Sequence, residues 1–208
     1  MSTLMVIAKA PVPGRVKTRL TSRYTPEEAA ALAEAALVDT LEAVRATAAT
    51  RRVLVLDGTP GRWLPSDIEV LPQLARGGLD QRLAAAFAAC SGPALLIGMD
   101  TPQVTPALLA TGLELARGEA VFGPAEDGGF WALGLAESDP ALVSGVPMSM
   151  PDTGALQRRR LVAAGLTVRD LPVLRDVDTP ADARLVADGA PHSRFAAEVT
   201  RLAREGAR

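Results

Sequence analysis

The sequence predicts an α/β fold: a mainly parallel sheet covered by helices on both faces. Two observations predict it. Short apolar runs alternate along the chain with longer stretches of helical periodicity, the order expected of strands joined by crossover helices. Aromatic residues make up only 3% of a chain that is 48% hydrophobic, so the core is built from Ala, Leu and Val, small enough for close helix-on-sheet packing.

The strands expected from the apolar runs are Leu4–Ala8, Val53–Leu56, Ile68–Leu71, Ala94–Ile97, Ala120–Phe122, Phe130–Leu135 and Thr167–Asp170. The first helix has the clearest start. Thr25 is an N-cap, Pro26 suits the first helical position, Glu28 completes a capping box, and the Ala/Leu-rich body reaches about Ala48. Further helices are expected over Leu79–Cys90, Pro106–Ala116, Ala155–Ala164, Ala181–Ala187 and Ser193–Arg204. The Pro- and Gly-rich stretch from Asp57 to Pro72 leaves no room for a helix. No repeat, low-complexity segment or composition break divides the 208 residues, so a single domain over 1–208 is expected.

Charge and cysteine usage exclude several classes. With 22 basic against 24 acidic residues, the net charge of −2 gives no general attraction to nucleic acid or anionic membrane. The one cysteine, Cys90, permits neither an intramolecular disulfide nor a multi-cysteine zinc site, and its apolar surroundings suit an inert core thiol. No run approaches the ~18 apolar residues that span a bilayer. Leu4–Ala8 is too short for a signal-peptide core and is followed at once by Lys9, so a cytoplasmic protein is expected.

Ligands of such sheets bind beyond the carboxyl ends of the strands, and four constellations fall there. Lys9, Arg15, Lys17 and Arg19 place four cations in eleven residues, stiffened by Pro11, Pro13 and Gly14, with no carboxylate before Glu27. Such a loop suits phosphate oxygens, although it lacks the Walker A spacing. Asp100, in Ile97-Gly98-Met99-Asp100-Thr101-Pro102, ends the most apolar strand, where a carboxylate holds a hard divalent cation or turns the chain. Glu126-Asp127-Gly128-Gly129 reads as a hairpin turn, or as acids that bind a hydroxyl or assist a metal beside glycines that admit a substrate. In Asp176-Val177-Asp178-Thr179-Pro180-Ala181-Asp182, Asp178-Thr179-Pro180 suits a helix cap, and alternate acids direct one carboxylate towards the metal of Asp100. His192 lies in a late Gly-Ala-Pro turn and is not expected to be catalytic.

The motifs KAPVPGRVKTRL (Lys9–Leu20), IGMDTP (Ile97–Pro102), GPAEDGGFWALGL (Gly123–Leu135) and DVDTPAD (Asp176–Asp182) cover nearly the whole chain in order. In these the chain resembles the GT-A-like, uncharacterised glycosyltransferase family of nucleotide-diphospho-sugar transferases, some members of which are named for arsenosugar biosynthesis. The opening loop is also similar to that of phospholactate guanylyltransferases. The resemblance implies a Rossmann-like nucleotide-binding transferase. Asp100 and Asp178 match its acidic positions for Mg²⁺ or Mn²⁺. Lys17 and Arg19, with Lys9 and Arg15, match the phosphate grip. The segment Arg76–Leu83, with Gly78 and Asp80, resembles a Gly-rich stretch near the base, although Gln81 stands where a glycine is expected.

Two chemistries follow. A nucleoside triphosphate attacked at its α-phosphorus by a small phosphorylated acceptor releases pyrophosphate, with Lys17 and Arg19 stabilising the leaving group. A nucleotide sugar attacked by an acceptor hydroxyl or thiol releases nucleoside diphosphate, with Asp127 or Glu126 as base. Four loop cations suit the more highly charged triphosphate. A nucleotide-binding module without catalysis is the third possibility, and the acids at the metal positions argue against it.

Overall fold

The computed structural model describes residues 2–74 and 76–206. Among these, strands β1 (Thr3–Lys9), β2 (Arg51–Asp57), β3 (Glu69–Pro72), β4 (Ala94–Gly98), β5 (Glu119–Pro124), β6 (Phe130–Leu135) and β7 (Thr167–Asp170) form one sheet. Its order is β3-β2-β1-β4-β6-β5-β7. β1 pairs in parallel with β2 and β4, β2 with β3, and β5 with β7, while β6 runs antiparallel between β4 and β5. The sheet is the expected Rossmann-like one, mostly parallel, with the Gly-Gly hairpin supplying its reversed strand.

The helices are α1 (Pro26–Ala46), α2 (Leu79–Ala88), α3 (Pro106–Leu113), α4 (Thr153–Ala163), α5 (Pro180–Gly189) and α6 (Arg194–Glu205), with short 3-10 turns at Thr18–Ser22 and Pro140–Leu142. Alternate strand residues serve opposite faces. Leu4, Val6, Leu54, Leu95 and Ile97 pack with Leu37 and Leu41 of α1 and Leu109 of α3. Met5, Val53, Val55 and Leu96 pack on the other face with Leu83 and Phe87 of α2 and Leu161 of α4. Because both faces are covered, the inner strands read as unbroken apolar runs. Cys90, just beyond α2, is half-buried against Met5, and burial raises its thiol pKa, as suits an inert side chain.

Element ends differ from expectation where side chains take over backbone bonds. α1 stops at Ala46 because the Thr47 hydroxyl donates to Ala43 O (2.8 Å) as its backbone becomes extended. α3 stops at Leu113 because Arg169 donates to the carbonyls of Thr111 and Glu114. The α1 capping box forms as expected, with Glu28 N donating to Thr25 Oγ1 (3.2 Å) and Thr25 N to the Glu28 carboxylate (2.7 Å). A second box starts α5 between Thr179 and Asp182. Thr179 therefore caps this helix, and Asp178 is left for other contacts.

α6 packs on α1 through Phe195, Val199 and Leu202 against Leu32 and Ala36. Half-buried Asp39 of α1 also accepts hydrogen bonds from Arg194 N (3.1 Å) and Phe195 N (2.9 Å) at the start of α6. Asp39→Ala is expected to lower the unfolding free energy by about 2 kcal/mol, since it strips charge-assisted partners from two helix-terminal donors. Urea denaturation measures this. A change below about 0.5 kcal/mol, the range of an ordinary surface substitution, means that apolar contacts alone dock α6.

Candidate functional site

β1 continues to β2 on one side of itself, and the chain later returns to place β4 on the other side. The loops leaving β1 and β4 thus flank a crevice at the carboxyl edge of the sheet, where such topologies bind ligands. The crevice is a cleft of ≈ 660 Å³, lined from the β1 loop by Lys9, Arg15, Lys17 and Arg19 and from strand ends by Asp100, Asp127, Asp176 and Asp178.

The β1 loop is held by its own sequence. Arg15 N donates to Val12 O (3.0 Å), closing a turn with Pro13 and Gly14 at its centre and Gly14 at φ 74°. Proline followed by a positive-φ glycine suits a type II turn. Pro13 and Gly14 therefore shape the loop, and the side chain delivered to the cleft is that of Arg15. Val16 and Leu20 are buried on either side of Lys17, whose backbone is left-handed at φ 49°. The Lys17 side chain is only 7% exposed, and its ammonium lies 2.7 Å from Asp100 Oδ1 and 3.5 Å from Asp178 Oδ1. It also donates to Val177 O. Arg19 reaches Asp178 Oδ2 at 2.9 Å. Lys9 and Arg15 make no ion pair among the described residues.

The acids converge because two segments are stitched together. Val177 N donates to Asp100 O (2.9 Å), and Gln103 Nε2 donates to Arg175 O (2.7 Å). Val177 is buried, and the extended chain sends its neighbours Asp176 and Asp178 to the cleft side. Asp176 carries the strongest electrostatic signature of the cleft. Burial, reinforced by the nearby charges of Asp100, Asp127 and Asp178, pushes its pKa up to about 7, against the pull of Lys17. The sequence pattern pointed to alternate acids without choosing this one. Its Oδ1 is buried without a protein partner, as are Thr101 Oγ1 and Arg82 Nε, and all three residues line the cleft. Each of these three atoms has room for a partner from the cleft side, whether water or ligand.

The other expected residues divide between the cleft and its surroundings. Asp127 makes the turn, accepting from Gly129 N at 2.8 Å, and lines the cleft. Glu126 is turned away into an ion pair with Arg175, which also holds Asp182. Gly129 lines the cleft. Gly128, at φ 89°, is approached instead by the chain itself, since a Cβ there would stand 1.9 Å from Pro151 O. Gly78 is the N-cap of α2, and Asp80 accepts from Gly145 N (2.8 Å). Neither lines the cleft. The tight approach of the Gly-rich stretch falls at Gly77, at φ 107°, against the Gln81 side chain. Gln81 fills the space that a glycine would leave. Arg82, within the Gly-rich segment, lines the cleft although the pattern there does not single it out, and Gln73 lines it without any motif to announce it.

The uncharacterised bacterial protein family DUF2064 matches residues 26–150. The chain belongs to this family. It is also 32% identical over 180 residues to the 2-phospho-L-lactate guanylyltransferase of Halorubrum lacusprofundi, covering 81% of this chain and 77% of that relative. A nucleotide-diphospho-sugar transferase structure from Desulfovibrio desulfuricans G20 superposes with a TM-score of 0.84 at 25% identity, covering 99% of this chain and 95% of that one. The fold is shared with Rv0371c of Mycobacterium tuberculosis H37Rv in its manganese complex (TM-score 0.53, 24% identity, 89% and 96% covered). The resemblance carried by the four motifs is borne out, and with it the enzyme class: this DUF2064 chain is a transferase of the nucleotidyl or nucleotide-sugar kind. No helix among the described residues is long and apolar enough to cross a membrane.

The glycines of the site separate conformation from space. A Cβ on Gly14 meets nothing within 4 Å, so Gly14→Ala bears only the positive-φ penalty, about 1 kcal/mol. Gly128→Ala adds a collision with the Pro151 backbone and should lose at least about 2 kcal/mol. Equal losses in urea unfolding would mean that the hairpin does not pack this closely on the start of α4.

Proposed function

We propose that this transferase carries out metal-dependent nucleotidyl transfer from a nucleoside triphosphate to a small phosphorylated acceptor. One observation carries the reading: a two-carboxylate seat for a cation stands at the same sheet edge as cations that have no carboxylate partner. Asp100 and Asp178 together hold one cation, the Lys17 ammonium, which supports reading the pair as a cation seat. That donor set fits Mg²⁺ or Mn²⁺, which take one or two protein carboxylates and fill their remaining positions with water and substrate phosphate. Among the described residues, no group of three or more His, Cys, Asp or Glu forms a cage that would hold a metal without substrate. When bound, the ion supplies Lewis-acid neutralisation of phosphate oxygens.

The side chains divide the remaining work. Lys9 and Arg15, unpaired at the rim, bind the outer phosphates and stabilise the charge that gathers on departing pyrophosphate. Arg19 and Lys17 are engaged with acids and join the grip only when those acids receive another cation. Gly129 and Asp127 position the acceptor at the hairpin wall. A phosphate nucleophile is already anionic and needs no base, which suits a cleft whose lining includes no histidine. The guanylyltransferase relative supports this chemistry.

One observation favours glycosyl transfer as a second reading. The wall formed by Asp127, Phe130, Met148 and Met150 is acidic and apolar, which suits a neutral hydroxyl acceptor with Asp127 as base. The nucleotide-diphospho-sugar transferase structure, at TM-score 0.84, supports it.

Incubation with Mg²⁺, nucleoside triphosphates, nucleotide sugars and candidate acceptors separates the readings. Acceptor-dependent pyrophosphate release is expected; acceptor-dependent nucleoside diphosphate release would replace the first reading with the second. Arg15→Ala should weaken triphosphate binding about ten- to a hundredfold, the loss of one charge-assisted contact worth about 1.5–3 kcal/mol, and leave monophosphate binding nearly unchanged. Isothermal titration with mono-, di- and triphosphates measures this. Equal losses across all three would show that the loop does not read phosphate number.

A further inference from the structure

The Lys17 ammonium occupies the space between Asp100 and Asp178, the position that the metal reading above needs. It donates to Val177 O, forms ion pairs with Asp100 Oδ1 and Asp178 Oδ1, and its side chain is 7% exposed. It is therefore an internal counter-ion to both acids. Its anchorage is built in: Val16 and Leu20 are buried on either side, and the left-handed backbone at φ 49° aims the side chain inward.

We propose that Lys17 is a place-holding cation, ejected from the carboxylate pair when metal and nucleotide enter together. A divalent ion shared by Asp100 and Asp178 would compete for the Oδ1 oxygens that now face the ammonium, and repulsion between the two cations at contact distance would push the lysine off. Metal alone gains the carboxylates and leaves the displaced ammonium without a partner. Metal arriving with phosphates provides one, since the oxygens that complete the metal's coordination also receive the ammonium. Lys17 therefore suppresses loading by free metal and couples metal binding to nucleotide binding. Arg19, held by Asp178 from the solvent side, is released by the same exchange. Lys17 thus acts first as a positioning residue and afterwards as a phosphate ligand.

The test measures Mn²⁺ binding by isothermal titration and by electron paramagnetic resonance, without nucleotide and then with a non-hydrolysable nucleoside triphosphate analogue. For the wild type, weak binding of Mn²⁺ alone and much tighter binding with the analogue are expected. Lys17→Met should bind Mn²⁺ alone about tenfold or more tightly than wild type, with little further gain from the analogue. Its melting temperature should be lowered in chelator, where two carboxylates face each other unpaired, and restored by Mn²⁺. Lys17→Gln keeps a hydrogen-bonding group without the charge and serves if the methionine variant does not fold. Wild-type binding with the analogue, together with unchanged or weaker Mn²⁺ binding by the variants alone, would overturn the place-holder and leave the metal site standing. Absence of Mn²⁺ binding by every protein, even with the analogue, would overturn both.

Discussion

The site depends on one constraint of connectivity: β1 and β4 lie side by side in parallel although the chain visits β2 and β3 between them. Adjacent parallel strands end at the same edge, so the loops that leave them must share it. The cationic loop after β1 and the acid after β4 therefore meet whatever the rest of the chain does. The segment beyond β7, stitched to the β4 loop through Val177 and Gln103, adds Asp176 and Asp178 to the same point. Residues as distant in sequence as Lys17 and Asp178 become ion-pair partners through this arrangement.

Bringing those charges together creates the problem that Lys17 solves. Asp100, Asp127, Asp176 and Asp178 face one cleft, and burial, reinforced by repulsion from the other three acids, raises the pKa of Asp176 to about 7. A cation between Asp100 and Asp178 relieves part of it. A buried charge is stable only when its hydrogen-bonding groups are satisfied, and donation to Val177 O helps the Lys17 ammonium to meet that condition. Asp100 is 39% exposed, as its place at a strand end suggests, yet it is engaged by the buried Lys17 ammonium. Removing it strips a buried lysine of a partner, which makes the isosteric amide the milder variant.

The layering of the fold was legible because it follows from local pattern. Unbroken apolar runs marked the buried strands, and Thr25 with Glu28 marked the start of α1. The reversed direction of β6 was hinted at only by the Gly-Gly turn, since strand direction is set by partners that no periodicity records. Motif chemistry brought Lys17, Asp100 and Asp178 to notice, but a list of charges does not say which cancel. That Lys17 and Arg19 are engaged while Lys9 and Arg15 are not depends on tertiary distances. Gln73 gave no signal, and Arg82 was not singled out within its Gly-rich segment, because a single polar residue on a helix or after a strand is ordinarily a solvated one. Glu126 and Asp127 are adjacent acids with opposite fates, decided by Arg175 packing beside only one of them.

The two proposed chemistries share one half of this cleft. Either donor would present a phosphoanhydride to it, so Asp100 and Asp178 serve both, and in that half only the number of loop cations favours the more highly charged triphosphate. The further distinction rests on the opposite wall, lined by Asp127, Phe130 and the exposed Met150. An acid next to apolar surface repels a phosphorylated acceptor unless its charge is offset. A neutral hydroxyl acceptor meets no such penalty, so acceptor charge is the property on which this wall separates the two proposed chemistries.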